Sequence, residues 1–100
     1  MNIRYTMESL SIEGLRNRMI IQRDKRIQTA IREIIEGIQK AADEDLTGFG
    51  IRILPRRSIH IMLHVYRLDD DIAEDVYTQL QPYLGDIRRW KNESAISFEW

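Results

Sequence analysis

The chain has 100 residues, of which 43% are apolar and 31% are charged, and its net charge is −1. These proportions and this length are typical of a single globular domain with a modest core, and they exclude a disordered chain. The near-neutral charge gives no general attraction to nucleic acid or anionic membranes, and the absence of cysteine excludes disulfides, thiolate metal sites and thiol catalysis. Without a signal-peptide or membrane-spanning pattern, we expect a cytoplasmic protein that does not bind membranes.

The start of the chain leaves two interpretations open. Alternating apolar residues predict a first strand, and these residues are Ile3, Tyr5 and Met7. Residues 9–22 fit either a second strand, giving an N-terminal hairpin, or the early start of the next helix. A helix from Leu15 to Ala42 would be about 42 Å long, which is too long to lie on a domain of this size. We therefore favour the hairpin, or at least a break before Asp24.

From Asp24 onward the sequence predicts an amphipathic helix. The apolar residues with helical spacing are Ile27, Ala30, Ile31, Ile34, Ile35, Ile38 and Ala42. A glycine costs a helix interior about 1 kcal/mol relative to alanine. We therefore expect Gly37 to permit close packing of this helix on a sheet. The acidic residues 43–45 oppose the helix dipole and end the helix.

Two strands are predicted in the middle of the chain, at residues 49–54 and 58–67, because apolar residues alternate in both. The short turn after Pro55 joins them as an antiparallel hairpin. One row of the second strand must bury against a helix layer, and it consists of Ile59, Ile61, Leu63 and Val65. The opposite row mixes polar and apolar residues and is the candidate partner-binding face; with one residue of the neighbouring strand, it comprises Arg52, His60, Met62, His64 and Tyr66.

A second helix and a hairpin are predicted in the last third of the chain. The helix begins with Asp71 and Glu74 as a capping pair and ends at Gly85. Its expected buried residues are Ile72, Val76, Leu80 and Leu84. Residues 87–90 then pair with a final strand, whose alternating residues are Ile96, Phe98 and Trp100. The element order predicts an α+β two-layer sandwich, with two helices on one face of an antiparallel sheet in the ferredoxin-like order βαββαβ.

Neither the histidines nor the acidic residues form a convincing reactive site. His60 and His64 would be roughly 13 Å apart on a strand, which is too far to share one metal ion. The acidic residues between Asp69 and Asp75 suit the start of a helix, where carboxylates oppose the dipole. A metal-dependent phosphoesterase at this cluster is a remote alternative. We therefore expect no enzyme activity, no metal and no cofactor.

The clustered basic residues support an alternative function. Binding of RNA or DNA would use basic residues at a turn and beside Trp90, namely Arg56, Arg57, Arg88, Arg89 and Lys91. Against it stands the slightly acidic chain as a whole. Our first expectation is a small non-enzymatic protein-binding module, such as a regulator, an inhibitor or an immunity-type partner. It would act through its sheet face or an edge strand, as a homodimer.

Overall fold

The computed structural model describes residues 11–55 and 67–100, which contain two helices and a four-stranded mixed sheet. In chain order the elements are α1 (Ile12–Asp43), β1 (Gly48–Leu54), β2 (Arg67–Asp69), α2 (Ala73–Leu84), β3 (Arg88–Lys91) and β4 (Ala95–Glu99). The predicted α+β class is confirmed. The order βαββαβ is not, because a helix comes first among the described residues. The strand predicted at Ile3, Tyr5 and Met7 lies outside them.

The sheet has the strand order β2-β1-β4-β3. β4 pairs antiparallel with both neighbours, so the predicted C-terminal hairpin is confirmed. β1 and β2 are parallel, with Ile53 opposite Leu68, so the sheet is mixed and the prediction of a wholly antiparallel sheet is wrong. The predicted central hairpin lies mostly outside the described residues, because residues 58–66 formed nearly all of its second strand. Alternation of apolar residues has the same period in parallel and antiparallel strands and cannot distinguish them. The final strand β4 lies inside the sheet, and β3 is the outermost of the described strands on that side.

Both helices pack on one face of the sheet and enclose the core. α2 buries all four residues predicted for it, and Ile96 and Phe98 of β4 are buried beneath. The core positions of α1 and the two N-terminal strands are Ile27, Ile31, Ile34, Ile51, Ile53 and Leu68. The predicted core residue Ala42 is exposed, and Ala41 is buried in its place. Ala41 lies two helical turns after Ile34, so it keeps the same face.

Helix α1 is continuous over 32 residues, so the predicted hairpin and the predicted break before Asp24 are both wrong. The hydroxyl of Ser11 caps the helix by accepting a hydrogen bond of 3.0 Å from the amide of Gly14. A helix of this length measures about 48 Å, and the molecule is 55 Å along its longest axis. The prediction failed because it assumed that the whole helix lies on the sheet. Buried positions begin only at Ile27, and the preceding turns extend past the sheet.

The start of α2 differs from the predicted capping pair. Its N-cap is Ile72, which makes no side-chain capping bond, while the carboxylate of Asp71 accepts hydrogen bonds from Arg26 of α1. Gly85 ends the helix as expected, with a φ of 55° that favours glycine. Neither helix in the described ranges contains a stretch long and apolar enough to cross a membrane.

Candidate functional site

The first half of α1 extends beyond the sheet and exposes apolar side chains. We call residues 12–25 the projecting segment, which is about 21 Å long at 1.5 Å per residue. Its apolar side chains are 45% to 69% exposed, and they belong to Ile12, Leu15, Met19, Ile20 and Ile21. The second half of the same helix buries Ile27, Ile31 and Ile34, which are only 3% to 6% exposed. One helix thus combines a packed half with an uncovered apolar half.

Three of the exposed residues form a stripe along one side of the projecting segment. Ile12, Leu15 and Met19 are spaced by three and four positions, so their side chains are neighbours on the helix surface. Continuing the same spacing leads to Arg23 and then Arg26. Both arginines contact the region where β2 ends and α2 begins. The apolar stripe therefore ends one turn before the arginines that contact the rest of the protein.

Arg26 joins α1 to this region through two carboxylates. Its guanidinium donates two hydrogen bonds to Asp71, of 2.8 and 2.9 Å, and a third of 2.8 Å to Asp69. Hydrogen bonding to Asp71, and secondly to Asp69, raises the pKa of Arg26, while partial burial acts in the opposite direction. Forked contacts of this kind restrict geometry as well as adding energy. Arg26 therefore holds α1 at a defined angle to α2.

Arg23, near the end of the projecting segment, adds a second connection about one turn before Arg26. Its guanidinium donates to the backbone carbonyl of Asp71 at 2.9 Å and pairs with the carboxylate of Asp75 at 2.5 Å. We call Arg23 and Arg26 the arginine anchor. The anchor fixes the base of the projecting segment, so the exposed stripe has a defined position relative to the rest of the protein.

An open groove of about 840 Å³ runs along the projecting segment down to the anchor. Leu15 and Met19 supply apolar surface, and Arg16 and Arg18 supply positive charge. Asp71 lies at the end of the groove next to the arginine anchor. Arg16 and Arg18 have no side-chain hydrogen bond or ion pair to any other residue in the described ranges. The groove therefore combines apolar contact area with cationic groups that are available to a ligand.

The predicted partner-binding face is described only in part. Arg52 lies on the sheet face opposite the helices, is exposed, and is next to Arg67 of β2. Trp90 of β3 is on the same open face and is 50% exposed. The other four predicted residues lie outside the described residues, and these are His60, Met62, His64 and Tyr66. The structure thus places one member of the predicted site and adds a tryptophan to that face.

The basic residues of β3 do not form one patch. Arg88 lies on the open face, 4.0 Å from Glu99, whereas Arg89 and Lys91 lie on the helix side. Arg89 donates to two backbone carbonyls, those of Gly85 and Ile87, and Lys91 pairs with Glu74 at 2.9 Å. Arg56 and Arg57 lie outside the described residues. The described part of the predicted nucleic-acid site is thus divided between two faces and largely occupied by internal contacts.

The acidic cluster has structural partners. Asp69, Asp71 and Asp75 contact the arginine anchor, and Glu74 pairs with Lys91. Across residues 11–55 and 67–100, no group of three or more His, Cys, Asp or Glu side chains is arranged to hold a metal ion. These carboxylates join the two helices and the sheet.

The sequence contained a signal for the projecting segment that the hairpin interpretation missed. Ser11 is a favoured N-cap residue, and the spacing of Ile12, Leu15 and Met19 after it is helical.

The chain matches no protein-family model, and comparisons with curated proteins and with solved structures gave no match. These comparisons indicate neither a family nor catalysis.

Proposed function

We propose that this protein is a small non-enzymatic protein-binding module whose partner binds the projecting segment of α1. The observation that carries the proposal is the exposure of five apolar side chains, each 45% or more exposed, on a helix whose other half is packed. Three of these side chains, Ile12, Leu15 and Met19, form a continuous stripe, and large exposed apolar patches mark interaction surfaces. Apolar residues on successive turns also present the anchor pattern of helix-in-groove recognition.

The energetics of the helix support the same proposal. The projecting segment continues a packed helix and needs no nucleation of its own, but no buried position stabilises its turns. A partner that packs against the apolar stripe would stabilise these turns. A partner that covers Leu15 and Met19 therefore gains buried apolar area and also prevents fraying of the helix.

A binding role of this kind needs no reacting group. A regulator, an inhibitor or an immunity-type protein acts by occupying a surface of its partner, and a rigid scaffold with one exposed apolar element is sufficient. The arginine anchor supplies that rigidity, because Arg23 and Arg26 connect the base of the projecting segment to the start of α2. Anchoring reduces the freedom that α1 would otherwise lose on binding.

Photo-crosslinking tests the proposal. The full-length chain carrying p-benzoylphenylalanine in place of Met19 is irradiated in native lysate, and the same label in place of Arg32 is the matched control. Both positions are exposed on α1, but Arg32 is in its packed half. We expect a discrete protein adduct at position 19 that is absent at position 32 and is lost when Leu15→Asp is added. Equal labelling at both positions, or an adduct consisting of nucleic acid, would contradict the proposal.

A further inference from the structure

The charge around the groove is strongly one-sided. Its charged lining consists of four arginines and a single aspartate, Asp71. Arg23 and Arg26 are engaged by the carboxylates at the base of the groove. Arg16 and Arg18 have no such partner among the residues that the structure describes. The apolar stripe is therefore bordered by two positive charges that remain available to a ligand.

We infer that the ligand of this groove is an acidic amphipathic helix of a partner protein, an inference that rests on the proposed function. Its apolar side chains would cover Leu15 and Met19, and its carboxylates would contact Arg16 and Arg18. Guanidinium groups pair well with carboxylates because two N–H donors match the two oxygens. A partner helix of about 14 residues spans the length of the projecting segment.

Charge complementarity argues against a second copy of this chain as the occupant. A second copy of this chain would place one arginine-lined groove against another, and like charges across an interface are unfavourable. The projecting segment of a second copy carries four basic and two acidic residues, so its net charge is positive. An acidic helix supplies more of the negative charge that complements Arg16 and Arg18.

The shape of the site argues against an anionic membrane. The groove runs along the side of a helix and ends at Asp71, so it is not a flat surface. Ile21 is two positions after Met19, which places it on nearly the opposite side of the helix, so the apolar surface does not lie in one plane. A helix can lie along the stripe, whereas a flat bilayer cannot contact Met19 and Ile21 at the same time.

Selection from a displayed library of random helical 16-residue peptides, with the full-length chain as bait, tests the inference without assuming a sequence. We expect enrichment of amphipathic peptides with net negative charge. The best enriched peptide is then measured by fluorescence anisotropy. We expect Arg16→Glu combined with Arg18→Glu to weaken its binding by roughly tenfold or more. Arg32→Glu, in the packed half of α1, is the single-substitution control and should leave binding unchanged.

Other results would overturn the inference. Enrichment of neutral or basic peptides, or no enrichment, would exclude an acidic helix; if the adduct at position 19 still forms, the proposed function stands and only the partner's charge is wrong. Pelleting with vesicles of phosphatidylcholine and phosphatidylserine, abolished by Met19→Asp, would assign the groove to a membrane. A dimer in sedimentation equilibrium that dissociates on Met19→Asp would assign it to a second copy.

Discussion

The ring of Phe49 on β1 occupies the space in which a side chain at Gly37 of α1 would lie. An ideal Cβ built at Gly37 would be 2.8 Å from the Cε2 atom of Phe49, a separation that real contacts essentially never show. Phe49 also stacks on Phe98 of β4, with 6.4 Å between the ring centroids. The missing side chain therefore lets α1 approach the sheet closely, as the position of this glycine in the helix predicted.

Gly37→Ala should destabilise the protein by about 1 kcal/mol, although alanine is the better helix former. The substitution gains about 1 kcal/mol in helix propensity. Overpacking a core typically costs about 1–3 kcal/mol, and the ring of Phe49 must move to admit the methyl group. Urea unfolding followed by circular dichroism measures the free energy of unfolding.

A double-mutant cycle provides the control for Gly37→Ala. In a Phe49→Leu background the smaller side chain leaves room for the methyl group, so the same substitution should be neutral or stabilising. The difference between the two backgrounds isolates the contact between these two positions. Equal effects of Gly37→Ala in both backgrounds would show that the contact does not determine the cost.

Local patterns in the sequence predicted the parts of the fold whose side chains all face one core. The spacing of Val76, Leu80 and Leu84 predicted α2 and its buried face, and the alternation before and after Asn92 predicted the C-terminal hairpin. Gly85 was correctly placed at the end of α2, where the positive φ favours glycine. In these segments local propensity and tertiary packing favour the same structure.

The remaining features depend on relationships that a local pattern does not contain. The length argument against an early start of α1 fails because residues before Ile27 do not pack on the sheet. Asp71 was expected to cap α2, but a bidentate arginine from α1 competes for its carboxylate, and that partner is 45 residues away in sequence. The candidate binding surface was missed for the first of these reasons.

Truncation of Leu15 and of Ile31, both on α1, should change the free energy of unfolding by very different amounts. Leu15→Ala should change the free energy of unfolding by less than about 0.5 kcal/mol, since Leu15 is on the exposed stripe. Ile31→Ala should cost about 2–5 kcal/mol, because Ile31 is only 6% exposed. Urea unfolding of both variants makes the comparison. A large cost for Leu15→Ala would mean that the stripe is already covered within the chain.

Replacement of Arg26 should loosen the connection between α1 and α2. Arg26→Ala removes three hydrogen bonds to Asp69 and Asp71 and leaves the two carboxylates close together. Because the site is partly exposed to solvent, we expect a loss of about 1–2 kcal/mol rather than the cost of a buried ion pair. Thermal unfolding at low and high salt measures the loss, which should shrink as salt screens the charges.

Arg32→Ala is the matched control for the Arg26 substitution. Arg32 is exposed on the same helix and makes no side-chain hydrogen bond or ion pair with any other residue in the described ranges. Its removal should therefore leave the unfolding free energy nearly unchanged. If both variants lost equal stability, the effect of Arg26→Ala would come from the helix itself and not from its contacts with the carboxylates.

The N-cap of α1 should control local order in the projecting segment without affecting the core. Ser11→Ala removes the hydroxyl that accepts from Gly14, and loss of a cap costs a helix about 1 kcal/mol. Since the capped turns do not pack on the sheet, this cost is paid by local fraying and not by global unfolding. Hydrogen exchange should become faster in residues 12–25 and stay unchanged around Ile31 and Ile34. Binding of a partner should slow hydrogen exchange in residues 12–25 again, because a partner that covers the stripe stabilises the first turns of the helix. Uniformly faster exchange along α1 would instead mean that its two halves unfold as one unit.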